Sequence, residues 1–303
     1  RRSREHPRAG SDRRPGHARA SAASISASHR LGGPRLASLE HYVREILQSG
    51  FPGLRRVTGR VLRAQLDGYL AGIVDRDFKE AGHTVRRPQV LRRWMAAYAA
   101  ATSSVASYEK IRDAATGDMT DKPAKTTTHV YRDVLERLFI LDPLPAWLPT
   151  GNSFAQLASS PKHHLADPAL GARLLRADAA ALFSGRPAGP GPLPGGTLLG
   201  KLFESLVTQS VRVYAQAAEA QVSHLRTRRG DHEIDLIIER DGGVLAVEVK
   251  LGQVPDDRDV RHLRWLDAQL GSRLLDSVVI TTGPAAYRRP DGMAVVPAAL
   301  LGP

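Results

Sequence analysis

The sequence predicts a chain of two parts, an all-α region followed by an α/β region built on a mixed sheet flanked by helices. Three observations carry this expectation. Between residues 36 and 147 apolar side chains recur at three- and four-residue intervals, the spacing that lines one face of a helix. From residue 197 onward one such helix is followed by short apolar runs of strand length. Between the two lies Ala188 to Gly196, AGPGPLPGG, a linker by composition. The expected organisation is a basic tail over 1–35, a helical region over 36–150, a connecting segment over 151–196 and an α/β domain over 197–303.

Composition limits the classes of function. A chain of 303 residues with 42% hydrophobic content has room for about two domains with substantial cores. No segment is apolar enough over ~18 residues to span a bilayer, so no membrane role is expected. The absence of cysteine excludes disulfides, thiolate metal sites and cysteine nucleophiles, and fits a cytoplasmic protein. The net charge of +12 points toward nucleic acid, but it is unevenly spread. Residues 1–35 hold nine arginines against Glu5 and Asp12, a net of +7, which leaves +5 for the rest. With few large apolar side chains this tail is expected to be disordered. It is either a flexible arm attracted to phosphates or a translation artefact. Lysine is scarce, seven against 36 arginines, so a lysine among carboxylates, such as Lys250, stands out.

Each element follows from its own pattern. Leu39, Val43, Ile46 and Leu47 predict a first helix ending at Ser49-Gly50. Leu62, Leu66, Leu70, Ile73 and Val74 predict a second, the two forming an αα-hairpin through Gly50-Phe51-Pro52-Gly53. Three further helices are expected over 89–101, 108–115 and 126–138, with an extended stretch from Phe139. That order, over about 88–147, matches a winged helix-turn-helix, whose third helix would present Lys125, Thr127, His129 and Arg132 to DNA. A helical pack that serves as a structural or protein-interaction unit has the same spacing. Gly195 to Lys201, GGTLLGK, imitates a phosphate-binding loop but has Leu202 where a hydroxyl is needed, and instead opens a helix through Leu199, Phe203, Val207 and Val211.

The chemistry concentrates in Gly230 to Leu251, GDHEIDLIIERDGGVLAVEVKL. Two apolar runs around Arg240-Asp241-Gly242-Gly243 predict a β-hairpin. Strand alternation places Glu233 with Asp235 on one side of the first strand and Glu248 with Lys250 on one side of the second. Such grouping of carboxylates is unfavourable unless a cation or a substrate uses it. Before the hairpin, His224 to Arg229 predicts a strand whose Arg226 and Arg228 would contact phosphates. After it, a helix over 259–270, a buried parallel-type strand at Ser277 to Thr281 and a last strand at Ala294 to Pro297 complete the order α-β-β-β-α-β-β.

This order, with Gly200-x-x-Phe203-Glu204, Asp235 and Glu248-Val249-Lys250, resembles the PD-(D/E)XK restriction-endonuclease-like fold. The resemblance implies that Asp235 and Glu248 hold Mg²⁺ or Mn²⁺, that Lys250 orients or deprotonates the attacking water, and that Glu204 completes the metal shell. A hard cation with oxygen ligands suits phosphodiester cleavage. Glu233 is secondary, because Asp235 occupies the position the fold would use. A wider resemblance covers most of the chain beyond the tail. Phe51-Pro52, Tyr69-Leu70, Arg76-Asp77, Leu144-Pro145-Ala146-Trp147, Pro161-Lys162 with Asp167, Phe203-Glu204, Glu233-Ile234-Asp235 and Glu248-Val249-Lys250 look like the domain of unknown function at the C-terminal end of bacterial AAA-type ATP-binding proteins. Asp167-Pro168-Ala169-Leu170 departs from the Asp-Thr-Gly-Leu run expected there. No phosphate-binding loop precedes residue 36, so the partners this resemblance implies are DNA and a separate ATPase subunit. Three roles stay open for the hairpin: a DNA endonuclease centre, a non-catalytic DNA-binding or regulatory module, and a charge network in which Lys250 neutralises Glu248 and Asp235.

Overall fold

The computed structural model describes residues 37–116, 122–148, 158, 160–185 and 197–302. The tail over 1–35, the linker over 188–196 and most of 149–159 lie outside them. The first part is helical: α1 (Leu39–Gln48), α2 (Gly59–Gly72), α3 (Phe78–Glu80), α4 (Pro88–Ala100), α5 (Tyr108–Thr116), α6 (Lys125–Arg137), α7 (Pro168–Leu174) and α8 (Ala179–Ser184). Ile73–Asp77 continues α2 as a π-helical turn, so the charge cluster Asp75-Arg76-Asp77 sits on a bulged helix end. The ends of these helices follow from local chemistry. Ser38 caps α1 through the His41 amide, and Pro88 opens α4 where no amide hydrogen is needed.

After α6 the chain runs extended. Leu141 and Leu144 form isolated antiparallel bridges with Leu165 and Lys162, and Ala146 bridges to His224. Among the described residues α4, α5 and α6 are thus followed by a stretch that pairs antiparallel with the connecting segment through isolated bridges. Those bridges place the segment around Lys162 alongside the second part of the chain.

The second part is a sheet with helices on both faces. Helix α9 (Leu198–Ala217) precedes β1 (Gln221–Arg226), β2 (Glu233–Arg240) and β3 (Gly243–Val249). Helix α10 (Arg261–Leu270) leads to β4 (Leu274–Thr281), β5 (Tyr287–Arg288) and β6 (Ala294–Pro297). The spatial order is β1-β2-β3-β4-β6-β5, with β3, β4 and β6 parallel and the remaining pairs antiparallel. This is the predicted α-β-β-β-α-β-β order with one short edge strand, β5, added. Strand β1 begins and ends earlier than the residue pattern suggested, so Arg228 lies in the turn after it. Asp241 and Gly242 both have positive φ between the paired Arg240 and Gly243, the two-residue turn that the Asp-Gly signal specifies.

One core joins the helical part to the sheet. Trp94, Tyr98, Leu135 and Leu170 are continuous with Leu202 and Phe203 of α9 and with Leu236, Val247 and Ile280 of the sheet. A second core, under α10, collects Ile234, Ile237, Ala246, Leu263, Leu266 and Val279. No helix among the described residues is long and apolar enough to cross a membrane.

Candidate functional site

The end of the β2-β3 hairpin departs from regular pairing at the residue that matters most. Ser223 pairs with Ile237 and Leu225 with Ile234, so three steps on β2 answer two on β1. The extra residue is a bulge at Asp235-Leu236, which explains why Ile234 and Leu236 fall into different cores. The regular β2-β3 ladder begins only at Leu236. Asp235 Oδ2 accepts a hydrogen bond from the Val249 amide at 2.9 Å, tying the bulge to the end of β3 by side chain in place of backbone.

Around this point the four sequence-predicted residues Glu204, Asp235, Glu248 and Lys250 do come together. Lys250 Nζ lies 3.2 Å from Glu248 Oε2. Glu204 reaches the cluster from the second turn of α9. A fifth member was given no role by the residue pattern. Lys162, only 1% exposed, donates to Glu204 Oε1 and Asp235 Oδ1, each at 2.9 Å, and lies 3.5 Å from Glu233 Oε1. Glu233 in turn accepts from Arg226 Nη1 at 2.5 Å. Glu233 is therefore a full member of the network, and Arg226 is engaged inside it.

Burial and mutual repulsion set the protonation of the acids. Burial, then the charge of Asp235, pushes Glu204 up to about 7, against the pull of Lys162. The same two causes hold Glu248 well above the ordinary carboxyl range, with Lys250 opposing. Asp235 goes the other way: burial opposes its charge, but Lys162 and Lys250 hold it far below its ordinary value. For Lys162 the penalty of burial is outweighed by Asp235, Glu204 and Glu233, so its ammonium is retained far above the usual lysine range. Glu248 Oε1 is buried and has no hydrogen-bond partner.

The carboxylate oxygens are of the right kind for Mg²⁺ or Mn²⁺, but they are committed elsewhere. Lys162 holds one oxygen each of Glu204 and Asp235, the Val249 amide holds the second Asp235 oxygen, and Lys250 holds one of Glu248. Among the described residues, no group of three or more His, Asp or Glu side chains is disposed to hold a metal ion. The divalent cation implied by the resemblance does not fit the cluster as arranged.

The expected DNA-contacting residues divide. On α6, Lys125 pairs with Glu109 at 3.2 Å, His129 faces solvent, and Thr127 lines a cavity of about 480 Å³ with His83, Arg86, Arg87 and Lys122. Arg132 turns inward: its guanidinium lies over the Tyr108 ring and pairs with Asp133 at 2.7 Å. Beside the carboxylate cluster, Arg228 and Arg229 project into solvent from the turn after β1. Gly230, at φ +77°, allows that turn to pass over the Arg226 guanidinium, which a side chain there would meet at 2.9 Å. The imitation phosphate loop is a helix start: Thr197 caps α9 through the Gly200 amide, and Lys201 is buried.

Fold and site together define a mixed α/β domain with a buried carboxylate-lysine centre, joined to a helical region that supplies one of the lysines. Residues 199–301 match a domain of unknown function, DUF4143, a domain found at the C-terminus of AAA-type ATPase proteins. Residues 39–181 match a second domain of unknown function, DUF8612. No curated protein and no solved structure matches the chain.

Proposed function

We propose that the chain is a DNA-binding accessory module of an AAA-type ATP-binding protein, built on a nuclease-like α/β domain whose acidic centre does not cut. The observation that carries this is the assembly of Glu204, Asp235, Glu248 and Lys250 at one point, with Glu204 Oε1, both Asp235 oxygens and Glu248 Oε2 already engaged by protein donors. The four residue types at these positions are those of a phosphodiester-handling site. Their pairing favours the binding module over an Mg²⁺- or Mn²⁺-dependent endonuclease. Exposed Arg228 and Arg229 next to the centre and the arginine-rich composition support an anionic polymer as partner. The match of residues 199–301 to a domain found at the C-terminus of AAA-type ATPase proteins supports an AAA-type ATPase domain as the second partner.

The test is to incubate the purified chain with plasmid and branched DNA in Mg²⁺ or Mn²⁺, beside Asp235→Ala and Lys250→Ala. The expected result is DNA retention that weakens steeply with salt, survives both substitutions, and yields no cleavage products. Cleavage by the wild type that both substitutions abolish would overturn the proposal and establish the endonuclease. Replacing Arg228 and Arg229 with Gln should reduce the salt slope by about two, one for each lost phosphate contact.

A further inference from the structure

We propose that Lys162 is the built-in cation of the carboxylate centre, and that the centre takes up a divalent metal ion only when this ammonium is removed. The inference deepens the nuclease-like reading of the centre and rests on it.

An ammonium has three donors, and three carboxylates surround this one, two at 2.9 Å and one at 3.5 Å. The lysine is also fixed at its backbone. Its amide donates to Leu144 O at 2.9 Å and its carbonyl accepts from the Leu144 amide at 2.8 Å, so the chain delivers the side chain from a paired segment and not from a free loop. At 1% exposure the ammonium cannot swing into solvent while that pairing holds. It therefore occupies the place between Glu204 and Asp235 where the resemblance would put a metal ion. Glu248 Oε1 is buried without a hydrogen-bond partner in this arrangement. Taking the ammonium away would leave Glu204 Oε1, Asp235 Oδ1 and Glu233 Oε1 facing one buried position without their cation, oxygen donors of the kind a hard divalent cation takes once they can close on it.

The experiment is Mn²⁺ titration, read by the spin-resonance signal of free Mn²⁺ and by the shift in unfolding temperature, on wild type, Lys162→Met, and Lys162→Met with Glu204→Gln. Wild type should leave Mn²⁺ free and its unfolding temperature unchanged. Lys162→Met should bind Mn²⁺ at least ~10-fold more tightly than wild type, and its unfolding temperature should rise with Mn²⁺ concentration. The double variant removes one uncompensated charge; it should fold without metal and bind Mn²⁺ more tightly than wild type but less tightly than the single variant. If Lys162→Met does not fold alone, the double variant decides. Equal Mn²⁺ uptake by wild type and the variants, or uptake by none of them, overturns the inference. Failure of the wild type to retain DNA would sink the proposed function without altering the Mn²⁺ result.

Discussion

Asp167 offers the sharpest test of how the helical region positions the centre. Its side chain is fully buried and every contact it makes has a structural purpose. Oδ1 accepts from the Ala169 amide at 2.8 Å, capping α7. Oδ2 accepts from Ser49 Oγ at 2.5 Å and from the Gly50 amide at 2.8 Å, anchoring the end of α1, where Ser49 stands at φ +69°. Asp167→Ala removes the cap, worth about 1 kcal/mol. It also removes the acceptor of the Gly50 amide and of the Ser49 O–H, whose oxygen still accepts from the Phe51 amide, at about 1–3 kcal/mol for each donor that water cannot reach. The sum is a loss of about 3–7 kcal/mol, a large share of the stability of a typical domain. Asp167→Asn should lose less, about 2 kcal/mol, because the amide oxygen can still cap α7 while its nitrogen faces the Gly50 amide, donor against donor. Guanidinium unfolding followed by far-ultraviolet circular dichroism measures both. A loss below about 1 kcal/mol for Asp167→Ala, or equal losses for the two variants, would refute this account of the junction.

Three other outcomes follow from the geometry. Burial, then the nearby Lys162, depresses His224 to about 4 from its ordinary 6.5 while its ring bonds to Ser160 O, so the folded state resists protonating it. The stability it contributes is complete above pH 6.5 and is lost as pH falls toward 4, by up to about 3 kcal/mol; Glu204 acts in the opposite sense between 4.5 and about 7, so the readout is the difference between wild type and His224→Gln, and parallel pH profiles would refute it. Phe139 stands at φ +55° just past α6, 81% exposed, in a position that favours glycine; Phe139→Gly should raise stability by about 0.5 kcal/mol, visible as a higher denaturant midpoint with an unchanged slope. At Gly283 a Cβ would stand 2.5 Å from the Gln253 carbonyl oxygen, so Gly283→Ala should destabilise by about 1–3 kcal/mol, and a neutral result in thermal unfolding would show that the backbone around Gln253 yields.

The parts of the fold that were legible in the sequence are those set by neighbours along the chain. The Asp241-Gly242 turn needs two residues with positive φ and announces itself, and the apolar run Ser277 to Thr281 reads as a parallel strand because β4 lies between β3 and β6. Strict alternation in β2 was the wrong guide from Leu236 onward, because the bulge at Asp235 shifts the faces and no local signal marks it. The convergence of Glu204, Asp235, Glu248 and Lys250 followed from the resemblance. Lys162 was given no role by pattern: it lies 42 residues before Glu204 and 73 before Asp235, in a segment paired through the isolated bridges at Lys162 and Leu165. The wider resemblance included Pro161-Lys162 without a role for it, and the scarcity of lysine pointed to Lys162 as much as to Lys250. On α6 the alternation of faces alone would not reveal that Arg132 turns onto Tyr108, since that depends on how α5 packs.

The division of the chain into two matched segments does not coincide with its chemistry. Lys162 belongs to the segment over 39–181, whereas Glu204, Glu233, Asp235, Glu248 and Lys250 belong to that over 199–301. Buried carboxylates with no compensating charge are strongly destabilising, and the removal of one partner from such a network costs about 3–5 kcal/mol. The larger core points the same way, since Leu170 and Leu175 of the first segment are continuous with Phe203 and Leu236 of the second. The described residues from 37 to 302 accordingly fall in one compact unit. The helical region is then an integral part of the centre: it delivers the cation that allows this end of the sheet to keep its carboxylates buried, and any partner that pulled the segment around Lys162 away would change the charge of that centre at once.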